Sequence, residues 1–211
     1  MRDAIDISLR LRPEMPTWPG GLGYRRDATM SMENGDEANV SSITMDVHCG
    51  THVEAPLHFI DGGDPVESIP LAALIGPAHV VHINHVDLIG ADDLASVVHD
   101  GPIDRLLIRT RNSDAWAAAT DFSADYVALT GDAAEWIAAR GIRLIGVDYL
   151  SVQRYGDDPA THRILMNANV AILEGLDLSQ ASAGIYRLTC LPLRLADAEA
   201  APARAMLEAL E

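Results

Sequence analysis

The sequence predicts an α/β fold, a single domain over residues 1–211 with a mixed β-sheet and flanking helices. Three observations predict it. A chain of 211 residues suits one domain with its own core. From Asp104 to Glu174, short apolar runs rich in Val, Ile and Leu alternate with helical stretches, the succession of strand, helix and strand that builds such sheets. No repeat, linker or low-complexity segment divides the chain.

Taken in order, Ala4 to Leu9 alternates Ile5, Ile7 and Leu9 with other residues, as a half-buried strand does. Pro13, Pro16, Pro19, Gly20, Gly21 and Gly23 then make an irregular loop around Trp18, which either walls a pocket or caps the core. Met30 to Asn39 is polar and reads as exposed, and Ser42 to Val47 reads as a strand. Ile69 to Ile75 reads as a short apolar helix. Val80, Val81 and Ile83 make Ala78 to His85 a strand, which scatters His79, His82 and His85 to different sides. Ala91 to His99 reads as a helix, Asp104 to Thr110 as a buried strand, Gly131 to Arg140 as a helix stopped by Gly141, and Ile142 to Val147 as another strand. Asp148, at the end of that strand, either orients a ligand histidine or satisfies loop amides. Thr161 to Ala168 reads as a short helix carrying His162. Val170 to Leu173 is a buried strand ending in Glu174, a carboxylate poorly placed unless something positive meets it. Gly184 to Leu195 reads as a further strand with Cys190 buried, and the tail from Ala196 to Glu211 as a segment that packs late or helps a dimer.

Composition removes several functions. The formal charge of −16 repels phosphate backbones and anionic lipid head groups, so neither nucleic acid nor a membrane surface is the expected partner. Every one of the 15 basic residues is arginine, which excludes a lysine Schiff base and a P-loop lysine. Cys49 and Cys190 are too few and too far apart for a disulfide framework. The N-terminal residues lack the apolar core of a signal peptide and no run suits a membrane span, so the cytoplasm is the expected location.

The densest chemistry lies between Asp46 and Asp61. His48, His52, Glu54 and His58 place three of the eight histidines and a carboxylate within a few residues, at separations of four, two and four. Gly50 and Pro56 disfavour a continuous helix. An extended strand would spread the four over roughly 33 Å, so one small site requires the chain to fold back there. Imidazoles with a carboxylate suit Zn²⁺, Mn²⁺ or Fe²⁺; the alternative is a hydrogen-bonded loop without metal. A cysteine nucleophile, Cys49 activated by a neighbouring histidine, is a competing chemistry.

His48-Cys49-Gly50-Thr51-His52-Val53-Glu54-Ala55-Pro56-Leu57-His58-Phe59 resembles the H-x-G-T-H-x-D-x-P-x-H-F signature of the cyclase family, which includes bacterial kynurenine formamidase and isatin hydrolase. Thr17-Trp18-Pro19-Gly20 upstream, and His162 followed by Glu174-Gly175-Leu176 downstream, resemble further landmarks in the same order. The resemblance implies a barrel-like core of the swivelling β/β/α, cyclase-like type. It implies that His48, His52 and Glu54 hold one divalent cation and Glu54, His162 and Glu174 a second, zinc first and manganese next. It makes His58 the catalytic proton shuttle and places Trp18 in the substrate pocket. The implied activity is hydrolysis of an amide, formamide or lactam in a small aromatic or cyclic molecule. Lactone hydrolysis, or ring closure or dehydration by a cyclase or lyase of the same fold, is the alternative; a homo-oligomer, such as a dimer, is the expected assembly. A metal lowers the pKa of a bound water from about 16 to about 7, which makes amide hydrolysis feasible at neutral pH. Three positions depart from the pattern: Glu54 stands where Asp is usual, Gly21 where an acid often follows Trp-Pro-Gly, and Arg163 follows His162 where formamidases tend to show paired histidines. An arginine beside the pocket suits an anionic substrate.

Overall fold

The computed structural model describes residues 4–98, 101–116 and 119–210. Its strands are β1 (Ile5–Asp6), β2 (Tyr24–Met30), β3 (Val40–Met45), β4 (His52–Glu54), β5 (Ile75–His82), β6 (Leu88–Ile89), β7 (Arg105–Arg109), β8 (Ala128–Leu129), β9 (Leu144–Val147), β10 (Ala171–Glu174), β11 (Gly184–Pro192) and β12 (Ala200–Ala209). Its helices are α1 (Leu71–Leu74), α2 (Ala91–Val97), α3 (Asn112–Ala115), α4 (Gly131–Ala139) and α5 (Ala160–Asn167). The main sheet runs β1-β12-β11-β5-β7-β9-β10-β4, and β4 pairs again with β12. That second pairing closes a barrel-like ring, as expected of the fold. Strands β5, β7, β9 and β10 are parallel, while β4, β11 and β12 join them antiparallel.

Alternation along each strand divides the core in two. Val53, Val80, Leu107, Leu144, Leu173, Cys190 and Leu207, one or more from every strand of the ring, fill its inside. Gly146 also faces inward, where a β-carbon would overlap the Leu107 side chain. The neighbouring Leu106, Ile108, Ile145, Val147 and Ile172 face outward and meet Leu94 of α2, Ala133 and Ile137 of α4, and Leu165 of α5. Burial on both faces explains why the parallel strands read as continuous apolar runs.

The tail departs from expectation. Residues Ala200–Ala209 form a strand of the ring, bonded to β1, β4 and β11, rather than a late-packing appendage. Ala203, Ala205 and Leu207 point into the core while Arg204, Met206 and Glu208 alternate outward, a period of two set in residues of high helix propensity. The expected helix at Ile69–Ile75 shrinks to α1, because Ile75 already begins β5. Helix α2 ends at Val97; His99, expected in that helix, lies outside the described residues. Strand β2 was not anticipated: it pairs with β3 in a hairpin exposed on nearly every residue, so neither strand shows the alternation that a buried face imposes. Among the described residues, no helix is long and apolar enough to cross a membrane.

Asp148, completely buried, follows β9 and accepts hydrogen bonds from Thr110 N (2.7 Å) and Oγ1 (2.8 Å), and from Ser113 N (3.0 Å) and Oγ (2.7 Å). Of its two readings, the structure supports the loop-amide one, since its partners are in the turn after β7 and none is a histidine. Asp148→Ala strands these buried donors and is expected to lower stability by about 3–5 kcal/mol in urea denaturation, whereas a loss under about 1 kcal/mol would contradict the role.

Candidate metal centre

The fold-back that the histidine spacing requires takes place at Gly50. After β3 the chain turns through Asp46–Cys49, with Cys49 N donating to Asp46 O at 3.1 Å, and Gly50 adopts φ +68°. A left-handed conformation here favours glycine, which has no β-carbon to strain, and a β-carbon on Gly50 would also overlap the Leu11 side chain. Gly50 also packs its carbonyl against Gly175, itself at φ +67°, so closely that a β-carbon on Gly175 would overlap it. Thr51 Oγ1 donates to Gly175 O and accepts from Leu9 N, fastening three segments at this point. Strand β4 then lies between β10 and β12, with His52 opposite Glu174 and Glu54 opposite Ile172. His52, Glu54 and Glu174 therefore share the outer face of the barrel. Pro56 starts the 3₁₀ turn Pro56–His58 that swings His58 back over them, and α5 covers them with His162.

Gly175→Ala joins a strained left-handed φ to an overlap with backbone, and is expected to lower stability by about 3 kcal/mol or more. An unchanged denaturation midpoint would show that the two glycines do not need this close approach.

The six side chains singled out for the site converge. The His48 and His52 ring centroids are 5.0 Å apart, and Glu54, only 3% exposed, lies among all four imidazoles. Its Oε1 is 3.1 Å from His48 Nδ1, 3.7 Å from His52 Nε2 and 3.5 Å from His58 Nε2, while its Oε2 is 3.5 Å from His162 Nε2. Glu174 lies 3.4 Å from both His52 Nε2 and His162 Nε2, and Val152 N donates to its Oε1 at 2.6 Å. Donor atoms of His48, Glu54 and His58 group together, as do those of His52, Glu54 and Glu174. The ligand-sized groups thus set His52 with Glu174 rather than with His48, and bring His58 within reach of the first set.

These atoms fit a cation. His52 Nδ1 faces the Gly50 carbonyl at 2.9 Å, so it carries a hydrogen and Nε2 is the nitrogen aimed at two carboxylates; without its own proton, Nε2 is a third acceptor there. Acceptors facing acceptors need a positive charge between them. His48 Nε2, His52 Nε2 and Glu54 Oε2 are buried without a hydrogen-bond partner. A proton on Nε2 can supply that charge as an ion does: burial by itself would lower the His52 pKa, but Glu174 and Glu54 push it up to about 10, and the same opposition raises that of His162, so an ion binding here takes the proton's place. Burial likewise disfavours the Glu54 carboxylate, yet His48, His52 and the other imidazoles hold its pKa well below the usual range. Imidazole and carboxylate together form a set suited to a borderline divalent ion.

Residues 5–154 match the model of the Cyclase family, described as "Putative cyclase". The chain belongs to the cyclase family. Kynurenine formamidase from Bacillus mycoides (strain KBAB4) is 36% identical over 204 residues, 96% of each chain, and Cyclase-like protein 3 from Arabidopsis thaliana is 39% identical over 215 residues, 98% of this chain and 79% of the relative. A solved structure described as "The Structure Of Potential Metal-Dependent Hydrolase With Cyclase Activity" aligns with a TM-score of 0.84 at 34% identity, over 98% of both chains. Isatin hydrolase A from Labrenzia aggregata shares the fold, with a TM-score of 0.82 at 23% identity over 97% of this chain and 93% of the other.

A cleft of about 500 Å³ opens on the centre. Trp18 lines it, 40% exposed, with its ring 5.3 Å from those of both Phe122 and Tyr155. At the cyclase-family position where an acid often follows Trp-Pro-Gly, a side chain on Gly21 would collide with Asp46, whose carboxylate fills that space and accepts from Leu22 N at 2.6 Å. Arg163 is not the arginine beside the pocket: it lies 3.5 Å from Asp158 on an exposed face, and Arg154 lines the cleft instead. Glu199, just before β12, also reaches in, 3.6 Å from His48 Nε2. Neither residue stands in the histidine motif, and no spacing signal marks them. Cys49 is not placed as an activated nucleophile: it is buried against Met15, and burial with the Asp46 charge pushes its thiol up to about 11.

Proposed function

We propose that this protein is a metal-dependent hydrolase of an amide, formamide or lactam C–N bond in a small aromatic or cyclic molecule. The observation that carries it is the buried carboxylate of Glu54 within 3.1–3.7 Å of four imidazoles, lying at the floor of an aromatic-walled cleft. The names of the similar kynurenine formamidase and metal-dependent hydrolase support the same reading. His48, His52, Glu54, His162 and Glu174 would hold one or two divalent ions, with zinc the best match to two donor types in tight groups and manganese next. When bound, the ion supplies an acidified water and polarises the substrate carbonyl.

His58 does the proton work in this reading. Burial lowers its pKa, the Glu54 charge opposing and the His48 ring reinforcing the shift, so the ring is neutral at pH 7 and can accept a proton. From the same position it can pass that proton to the leaving nitrogen. Trp18, held edge-on by Phe122 and Tyr155, offers a flat wall to an aromatic substrate. Arg154 at the cleft suits a substrate that carries negative charge.

Ring closure or dehydration in the same site is the second reading, favoured by the cyclase activity named for the similar solved structure. Product analysis in ¹⁸O-labelled water, run on a panel of formamides, lactams and lactones, separates the two. Hydrolysis incorporates the label into the new carboxylate; a product with no label contradicts it.

A further inference from the structure

Gln153 lies in the segment between β9 and α5, 7% exposed. Its side-chain nitrogen donates to Asp157 O at 3.0 Å, and its side-chain oxygen is 3.4 Å from His162 Nδ1. A carbonyl can only accept, so the Asp157 contact fixes which end of the amide is NH₂. The oxygen must then face the imidazole, and Nδ1 must be the nitrogen that bears hydrogen. Nε2 is then the nitrogen that can give up its proton to a cation, and it stands 3.5 Å from Glu54 Oε2 and 3.4 Å from Glu174 Oε1. The backbone beneath is pinned too. Tyr126 Oη donates to Gln153 O, Gln153 N donates to Ser151 Oγ at 3.2 Å, and the residue forms a β-bridge with Leu129.

We propose that Gln153 is a positioning residue of the metal centre, whose amide oxygen holds His162 in the tautomer and orientation that present Nε2 to the cation. The proposal rests on the metal reading above. His52 is held in the same sense by the Gly50 carbonyl, so the two most buried imidazoles are aimed by a backbone acceptor in one case and a side-chain acceptor in the other. Partners of this kind fix ring orientation and raise ligand basicity, and removing one costs about 10–100-fold in metal affinity.

Gln153 makes two contacts, and two substitutions separate them. Gln153→Met removes both the acceptor for His162 and the donor to Asp157. Gln153→Glu keeps an acceptor at His162, loses the donor, and adds a negative charge that favours a cation rather than opposing it. Zinc affinity of the metal-stripped full chain, measured by competition with a chromophoric chelator, is expected to fall about 10–100-fold in Gln153→Met and to fall no more than about threefold, or to rise, in Gln153→Glu. Both variants are expected to share the lower melting temperature that follows from the lost Asp157 bond. Gln153→Ala replaces the methionine variant if the latter does not fold. Equal loss of affinity in the two variants, which would mark a loop clamp, overturns the proposal, and so does wild-type affinity in both. Wild-type protein that binds zinc no better than His52→Ala overturns the metal reading itself and the proposal with it.

Discussion

Glu54→Ala is expected to abolish turnover, by about a thousandfold or more, and to strip the protein of its metal in the same step. No other side chain of the site approaches all four imidazoles, since one oxygen of Glu54 lies near His48, His52 and His58 and the other near His162. Its extra methylene relative to the usual Asp therefore does not detach it from either group of donors. Removal leaves His48 and His52 facing each other with only Glu174 to balance charge at His52. Elemental analysis beside steady-state kinetics checks this. A variant that keeps its metal and most of its activity would show that Glu54 is packing, not a ligand.

His58→Ala is expected to lower kcat by about 10²–10⁴-fold while leaving metal content near wild type. That range corresponds to about 3–5 kcal/mol of barrier. The combination matters because a donor atom of His58 groups with those of His48 and Glu54 closely enough to share an ion. Metal loss in proportion to activity would move His58 from proton carrier to ligand. The pH profile gives an independent check. Protonation of His58 removes the base, so kcat/KM is expected to fall as pH drops, with its midpoint below the ordinary histidine value of about 6.5 because burial lowers the pKa. His58→Gln should lack that limb, and a variant that keeps it assigns the limb to another group.

Much of this was legible in the sequence because local and global signals agreed. The apolar runs of β7, β9 and β10 face core on both sides, and an apolar run can only mean burial. Gly50 and Pro56 announced that the chain reverses, and with it that His48 and His52 could meet. Where signals conflicted, the reading failed. The tail has helix-forming Ala, Arg, Leu and Glu arranged with the period of a strand, and period prevailed because β4 and β11 offered open edges to pair with. Gln153, Arg154 and Glu199 reach the site from loops far from the motif, and only three-dimensional closure of the ring brings such positions together. Arg163 showed the opposite error: adjacency to His162 along a helix turns the next side chain about 100° away, here toward Asp158.

The most direct measurement is activity against metal content. Purified protein is stripped with a chelator, assayed on formamide and lactam substrates, and then titrated with Zn²⁺ or Mn²⁺. Activity should vanish on stripping and return in step with the metal bound at the Glu54 cluster; hydrolysis that proceeds unchanged in the stripped protein would contradict the central claim.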